Sequence, residues 1–187
     1  QRAETAAAET VKLIAANRQA LERDPRDPVV GRPDAPITVT QFFDYRCGFC
    51  KAVAPEVLRL AEQNPDVRVV MKEMPILADP ETGRVGVSER AAKLALRAAA
   101  GRYAEVHRAL MAERALDGAA VDRIARAHGI DPAALDAPGV ADHLADVQTL
   151  AATLKIEGTP AFVVRDAMIP GAHMEAVKRA VEAARRA

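Results

Sequence analysis

Apolar and polar positions change period several times along the 187 residues, and each change marks an element. Residues 3–23 space Ala7, Val11, Ile14, Arg18 and Leu21 in a four-three-four-three order. That spacing predicts a helix with a heptad-like seam, which Arg18 interrupts. Such a helix either lies on its own domain or joins copies of the chain. Asp24-Pro25-Arg26-Asp27-Pro28 and Gly31-Arg32-Pro33 then break it, predicting a linker that runs to Pro36. Ile37–Phe43 is a short run rich in β-branched and aromatic residues and predicts a strand. From Lys51 onward Val53, Val57, Leu58 and Leu60 give a helix-spaced face. Pro55 removes one backbone donor inside that helix, and Asn64-Pro65 stops it. Val67 to Met74 predicts a strand apolar on both faces, which suits a sheet interior. Strand, helix and strand in this order imply a parallel pair with a right-handed crossover.

Leu77 to Gly86 reads as a polar loop, and Val87 to Lys155 as a block of helices. Ser88 is placed to cap the first helix and Gly101 to end it. Tyr103, Val106, His107, Leu110 and Met111 fit the next helical stripe, and Val121, Ile124 and Ala125 a third, closed by Gly129. Asp131-Pro132 is an N-cap with proline behind it, and Val140, Leu144, Val147, Ala151 and Leu154 carry a last stripe. Ala161 to Arg165 and Met168-Ile169 predict a hairpin around Asp166-Ala167. Met174, Val177 and Val181 then face inward on a closing helix. The order predicts an α/β protein with a helical block inserted into it.

Composition removes several function classes. Lys plus Arg and Asp plus Glu are 26 each, so no basic footprint invites nucleic acid. Aromatic residues are 3% with no Trp, so no base-stacking platform is expected. No apolar run approaches the roughly 20 residues of a membrane span. A chain starting at Gln1 rather than Met is expected of a processed secreted protein or a shortened one.

The candidate chemistry is concentrated in Cys47-Gly48-Phe49-Cys50, which holds both cysteines of the chain. The motif lies where a strand hands over to a helix, with Cys47 at the helix mouth. Unpaired N–H groups and the positive dipole end there favour a thiolate. Such sites lower a cysteine pKa to roughly 3.5–7.5, and the thiolate is the attacking species. Cys50, one turn inside, is placed to resolve a mixed disulfide. A structural disulfide framework is excluded by the count, and no bound cofactor or metal is expected beyond the redox-active Cys47–Cys50 pair. Zinc would need two further ligands, and His107, His128, His143 and His173 are scattered. Two soft thiolates also suit Cu(I), with Met168 or Met174 as a third ligand, so copper binding is the rival from another class.

Cys47-Gly48-Phe49-Cys50-Lys51 followed by Ala54-Pro55 resembles the thioredoxin active-site helix. The longer string Phe42-Phe43-Asp44-Tyr45-Arg46-Cys47 is more similar to the DsbA-like periplasmic oxidoreductases, above all their ScsC branch, named for suppression of copper sensitivity. Met71-Lys72-Glu73-Met74-Pro75-Ile76-Leu77 and Gly158-Thr159-Pro160-Ala161-Phe162-Val163-Val164 extend the resemblance over most of the chain. It implies a thioredoxin fold divided into an N-terminal arm and linker (1–36), a catalytic domain (37–84 and 156–187) and an inserted helical subdomain (85–155).

The resemblance also implies a periplasmic thiol-disulfide oxidoreductase acting on proteins. Cys47 attacks and Cys50 resolves. Gly48 and Phe49 tune the redox poise, and a cis-proline at Thr159-Pro160 guides the substrate chain. Threonine before that proline resembles the disulfide isomerases, whereas DsbA oxidases carry valine, so isomerase is the first reading. A DsbA-type oxidase or a reductant is the alternative. A membrane redox partner and self-association through the N-terminal helix, as a trimer first, are expected partners. One departure stands out: many relatives carry a glutamate where this chain has Gln41, which cannot titrate. Proton transfer from Cys50 then falls to water, Lys72 or Glu73. These last two point to opposite faces of their strand. His107 reads as a core histidine, and Asp44 and Arg46 as solvated charges flanking the corner.

Overall fold

A computed structural model describes residues 2–187. Five strands form one mixed sheet: β1 (Val29–Gly31), β2 (Ile37–Phe43), β3 (Val67–Glu73), β4 (Ala161–Val164) and β5 (Ala167–Pro170), in spatial order β1-β3-β2-β4-β5. β2 and β3 are parallel, with Val39 opposite Val69, and the other pairings are antiparallel. All seven residues of both central strands are buried. The helices are α1 (Arg2–Ala16), α2 (Arg18–Glu22), α3 (Gly48–Gln63), α4 (Val87–Arg97), α5 (Tyr103–Ala112), α6 (Gly118–Ala127), α7 (Val140–Thr153) and α8 (Met174–Arg185). This is the thioredoxin-like α/β fold, with a helical region inserted between β3 and β4.

The sheet separates two apolar layers because strand residues alternate between faces. Val39, Phe43, Val69 and Met71 meet α3, α4, α5, α6 and α8 on one face. Phe42, Ala161 and Val163 meet Ile14, Leu21 and α7 on the other. The hairpin turn has Arg165 at φ 54°, the only positive value in it, as a type II′ turn requires of its first central residue. Arg18 bonds that turn through the Arg165 carbonyl and Asp166.

The N-terminal segment departs from the expected arm and linker. The helix breaks at Asn17 into α1 and α2, and both Ile14 and Leu21 of the seam are buried against the chain's own sheet. Ala7 and Val11 stay exposed. Residues 24–36, read as a linker, instead contribute β1, which pairs antiparallel with β3 and covers its free edge. Gly31 is required there: at φ +92° an added Cβ would lie 2.9 Å from the Val67 carbonyl oxygen. Buried cations bolt this segment down. Arg68 donates to the Glu22 and Pro33 carbonyls, and Lys72 donates to the Ala20 carbonyl and pairs with buried Asp27. A three-residue strand between prolines and a glycine is too short to show a period, so the sequence pattern hides it.

Candidate active site

Strand β2 delivers the chain to a corner, Asp44-Tyr45-Arg46, and α3 leaves it. Asp44 is not a solvated charge but a buried anchor. Its carboxylate accepts from the backbone N–H groups of Arg46 (2.7 Å), Ile76 (2.8 Å) and Leu77 (3.0 Å), and from the Ser88 hydroxyl (2.8 Å). Ser88 therefore does not cap α4. That helix instead presents the Val87 N–H to the Asp79 carboxylate at 3.3 Å. Arg46 is half-buried and paired with Asp79 at 2.7 Å. An acidic residue just after a strand, ahead of a helix, was the available signal for Asp44. What it lacked was the knowledge that residues 76, 77 and 88 return to it.

Cys47 is the N-cap of α3, and its sulfur accepts from the Cys50 N–H at 3.3 Å. The same sulfur lies 3.4 Å from the Thr159 carbonyl oxygen, to which the thiol donates. The Thr159-Pro160 peptide bond is cis. Three segments distant in sequence thus converge on one sulfur, bringing together Cys47, Cys50, Thr159 and Pro160 as expected of the motif residues. Phe49 projects from the first turn with 72% of its surface exposed, and Gly48 has open space where a side chain would stand.

The two cysteines, both free thiols, are driven apart electrostatically. Cys47 is lowered to about 6, first by a hydrogen bond from Cys50. The Thr159 side chain and the Cys50 and Phe49 backbone N–H groups add to this, against an opposing effect of burial. Cys50 is pushed well above an ordinary thiol, first by its bond to Cys47 and then by burial. Cys47 is a thiolate at neutral pH and Cys50 holds its proton. Lys51 donates to the Leu110 and Met111 carbonyls at the end of α5, so its ammonium serves the insertion rather than a sulfur.

The remaining sequence candidates separate. Gln41 is buried on the α3 face, and neither end of its carboxamide has a hydrogen-bond partner among the described residues. Lys72 points to the opposite face, where it pairs with Asp27, and His143 Nε2 lies 3.0 Å from that carboxylate. Lys72 is thereby removed as a proton carrier for Cys50. Glu73 faces the α3 side, buried and bonded to Tyr45 and Tyr103. His107 is in the core, as read, but it also bonds Tyr45 at 2.8 Å. Met174 packs in the α3-side core and Met168 against the opposite one. No cluster of three or more His, Cys, Asp or Glu side chains that could hold a metal gathers among the described residues. None of the helices among them is long and apolar enough to cross a membrane. Beside the helix mouth an open groove of about 600 Å³ is lined by Arg46, Lys51, Asp79, Glu81 and Arg114, among others.

Residues 23–183 match the sequence profile of the Thioredoxin_4 family, described as thioredoxin. Among solved structures, a thioredoxin-like oxidoreductase from Silicibacter pomeroyi is 40% identical. That match covers 91% of this chain and 99% of the other, with a TM-score of 0.81. A linker-deletion mutant of ScsC from Proteus mirabilis is 27% identical over 96% of this chain and 83% of its own, with a TM-score of 0.84. A periplasmic thioredoxin-like protein from Salmonella enterica serovar Typhimurium is 28% identical over 88% and 93%, with a TM-score of 0.77. No match is found among curated proteins.

Proposed function

The chain belongs to the Thioredoxin_4 family and is a thiol-disulfide oxidoreductase of the DsbA and ScsC kind, and from that premise we propose that it is a periplasmic protein disulfide isomerase. The observation that carries the isomerase reading is the threonine of the cis Thr159-Pro160 bond, whose carbonyl oxygen lies 3.4 Å from the Cys47 sulfur.

In the first step the Cys47 thiolate attacks one sulfur of a substrate disulfide. A mixed disulfide forms, the substrate's S–S bond breaks, and the partner sulfur leaves as a thiolate. Two exits then compete. If Cys50 loses its proton and attacks Cys47, the substrate leaves reduced and the protein is left oxidised. If a substrate thiolate attacks its own sulfur in the mixed disulfide, a rearranged substrate disulfide forms and the Cys47 thiolate is released. This second exit transfers no net electrons. Once Cys47 is in the mixed disulfide it no longer holds the Cys50 proton, but burial of Cys50 persists, and Gln41, buried in β2, offers no base. Slow escape through Cys50 favours rearrangement.

The Thr159 hydroxyl faces both sulfurs and Pro160 follows it, so this segment is suited to align a substrate strand beside Cys47. Gly48 and Phe49 shape the mouth that the substrate meets. A membrane partner that keeps the pair reduced completes the cycle. Self-association through the exposed Ala7 and Val11 side of α1, as a trimer first, would raise the local concentration of thiolates on one misfolded substrate. The test is reactivation of a scrambled, fully oxidised multi-disulfide protein in a glutathione buffer, set beside oxidation of a reduced peptide. Reactivation by the wild type, diminished in Thr159→Val, is expected. Peptide oxidation without any reactivation would make the protein an oxidase.

A further inference from the structure

Behind the active-site corner lies a set of buried polar groups that thiol exchange does not itself employ. Tyr45, two residues before Cys47, turns its side chain inward, and its hydroxyl donates to Glu73 Oε1 at 3.1 Å. Tyr103 donates to the same oxygen at 2.8 Å. The Tyr45 hydroxyl also meets His107 Nδ1 at 2.8 Å. Tyr103 stacks on His107 with ring centroids 5.6 Å apart, and Phe43 meets the His107 and Tyr45 rings edge-on at 5.1 and 5.2 Å. The ends of β2 and β3, the corner and helix α5 thus meet in one buried unit.

Among the described residues no cation pairs with Glu73. Burial pushes Glu73 well above an ordinary carboxyl, against the hydrogen bonds from Tyr103 and Tyr45 and with the Asp44 and Asp27 charges adding to it. Burial, with Arg108 adding to it, takes His107 down to about 3 and keeps it neutral. What the unit offers the corner is a fixed geometry of hydrogen bonds and ring contacts. We propose that Glu73, Tyr103 and His107 are positioning residues for thiol exchange, acting through Tyr45 to hold the Cys47 sulfur within reach of its donors. Asp44 fixes the corner from the side of the 76–88 segment, and Tyr45 fixes it from the side of α5. With one anchor gone, the 3.3 Å contact from the Cys50 N–H lengthens and the bond from the Thr159 side chain weakens with it.

The proposal rests on the oxidoreductase reading but not on the isomerase one, because it concerns the resting thiolate. Titration of the 240 nm thiolate absorbance of the reduced protein tests it without any substrate. Tyr45→Phe and Glu73→Leu are expected to move the Cys47 midpoint upward, leaving about fivefold less thiolate at pH 6. Glu73→Gln keeps an acceptor for both tyrosines at the same place, so it should restore the wild-type midpoint and glutathione redox potential. A Tyr45→Phe protein with a lowered melting temperature but an unmoved midpoint and potential would reduce the unit to core packing and overturn the proposal. Should Tyr45→Phe fail to fold, His107→Leu is read in its place, and a wild-type midpoint there refutes it equally.

Discussion

Replacing Cys50 with alanine isolates the largest cause of Cys47 activation. Cys50 is the first contributor to the lowering of Cys47 to about 6, ahead of Thr159 and the helix-mouth N–H groups. A hydrogen bond to a charged group is worth about 1.5–3 kcal/mol, and each pKa step costs about 1.36 kcal/mol. The variant's midpoint should therefore rise to about 7–8, held below an ordinary thiol by the contacts that remain. At pH 6 the thiolate fraction would fall from about one half to between roughly 1 and 10%. Alkylation would slow less than that, by about two- to sixfold, because a more basic thiolate is intrinsically more nucleophilic. Absorbance at 240 nm against pH is thus the deciding assay and alkylation rate the supporting one. An unmoved midpoint in Cys50→Ala would show that the helix mouth and Thr159 suffice and that the bond between the sulfurs contributes nothing. The sign for stability follows from the same lowering. The reduced wild type gains stability from the thiolate above the unfolded pKa and loses it as pH falls through about 6. The oxidised form, which has no thiol, should show no such loss.

Gln41→Leu removes two buried groups that have no partner among the described residues, so it is expected to leave thermal stability unchanged or to raise it by up to about 2 kcal/mol. A clear fall in melting temperature would show the carboxamide to be engaged. Gln41→Glu introduces a titratable group on the Cys50 side of the sheet and should speed reduction of the protein's disulfide near neutral pH. A stopped-flow rate that does not respond would remove position 41 from proton handling. Deletion of residues 1–12 should leave the domain folded but abolish self-association by light scattering, whereas an unchanged mass would place association elsewhere. Deletion through residue 30 is expected to cost far more. It removes Ile14, Leu21 and β1, and it strands Lys72 as a buried cation without Asp27, a loss of about 3–5 kcal/mol by itself. A urea midpoint close to wild type in that longer deletion would contradict the buried pairing.

The sequence by itself determined the parts whose signal is local. The β-branched and aromatic run Ile37–Phe43, the helical stripe after Lys51 and the place of Cys47 between them required only propensity, period and the chemistry of a helix mouth. From these the parallel β2–β3 pair and the place of Cys47 at the helix N-cap follow, and the structure carries both. The arm was different. Ala7, Val11, Ile14 and Leu21 look alike in a heptad count, yet two are buried at home and two are left outside. That division depends on where the back of the sheet offers Phe42 and α7, which no local pattern contains. Asp27 reads as one charge among prolines until Lys72, 45 positions away, is buried with it. Asp44 reads as surface until the backbone of Ile76 and Leu77 closes over it. Glu73 and His107 likewise acquire meaning only when α5 packs beside the corner and brings two tyrosine hydroxyls to one carboxyl. Burial of polar side chains is the common thread. A buried charge is tolerated only against a partner, and the partners lie tens of residues away, so tertiary packing decided which charged groups became anchors.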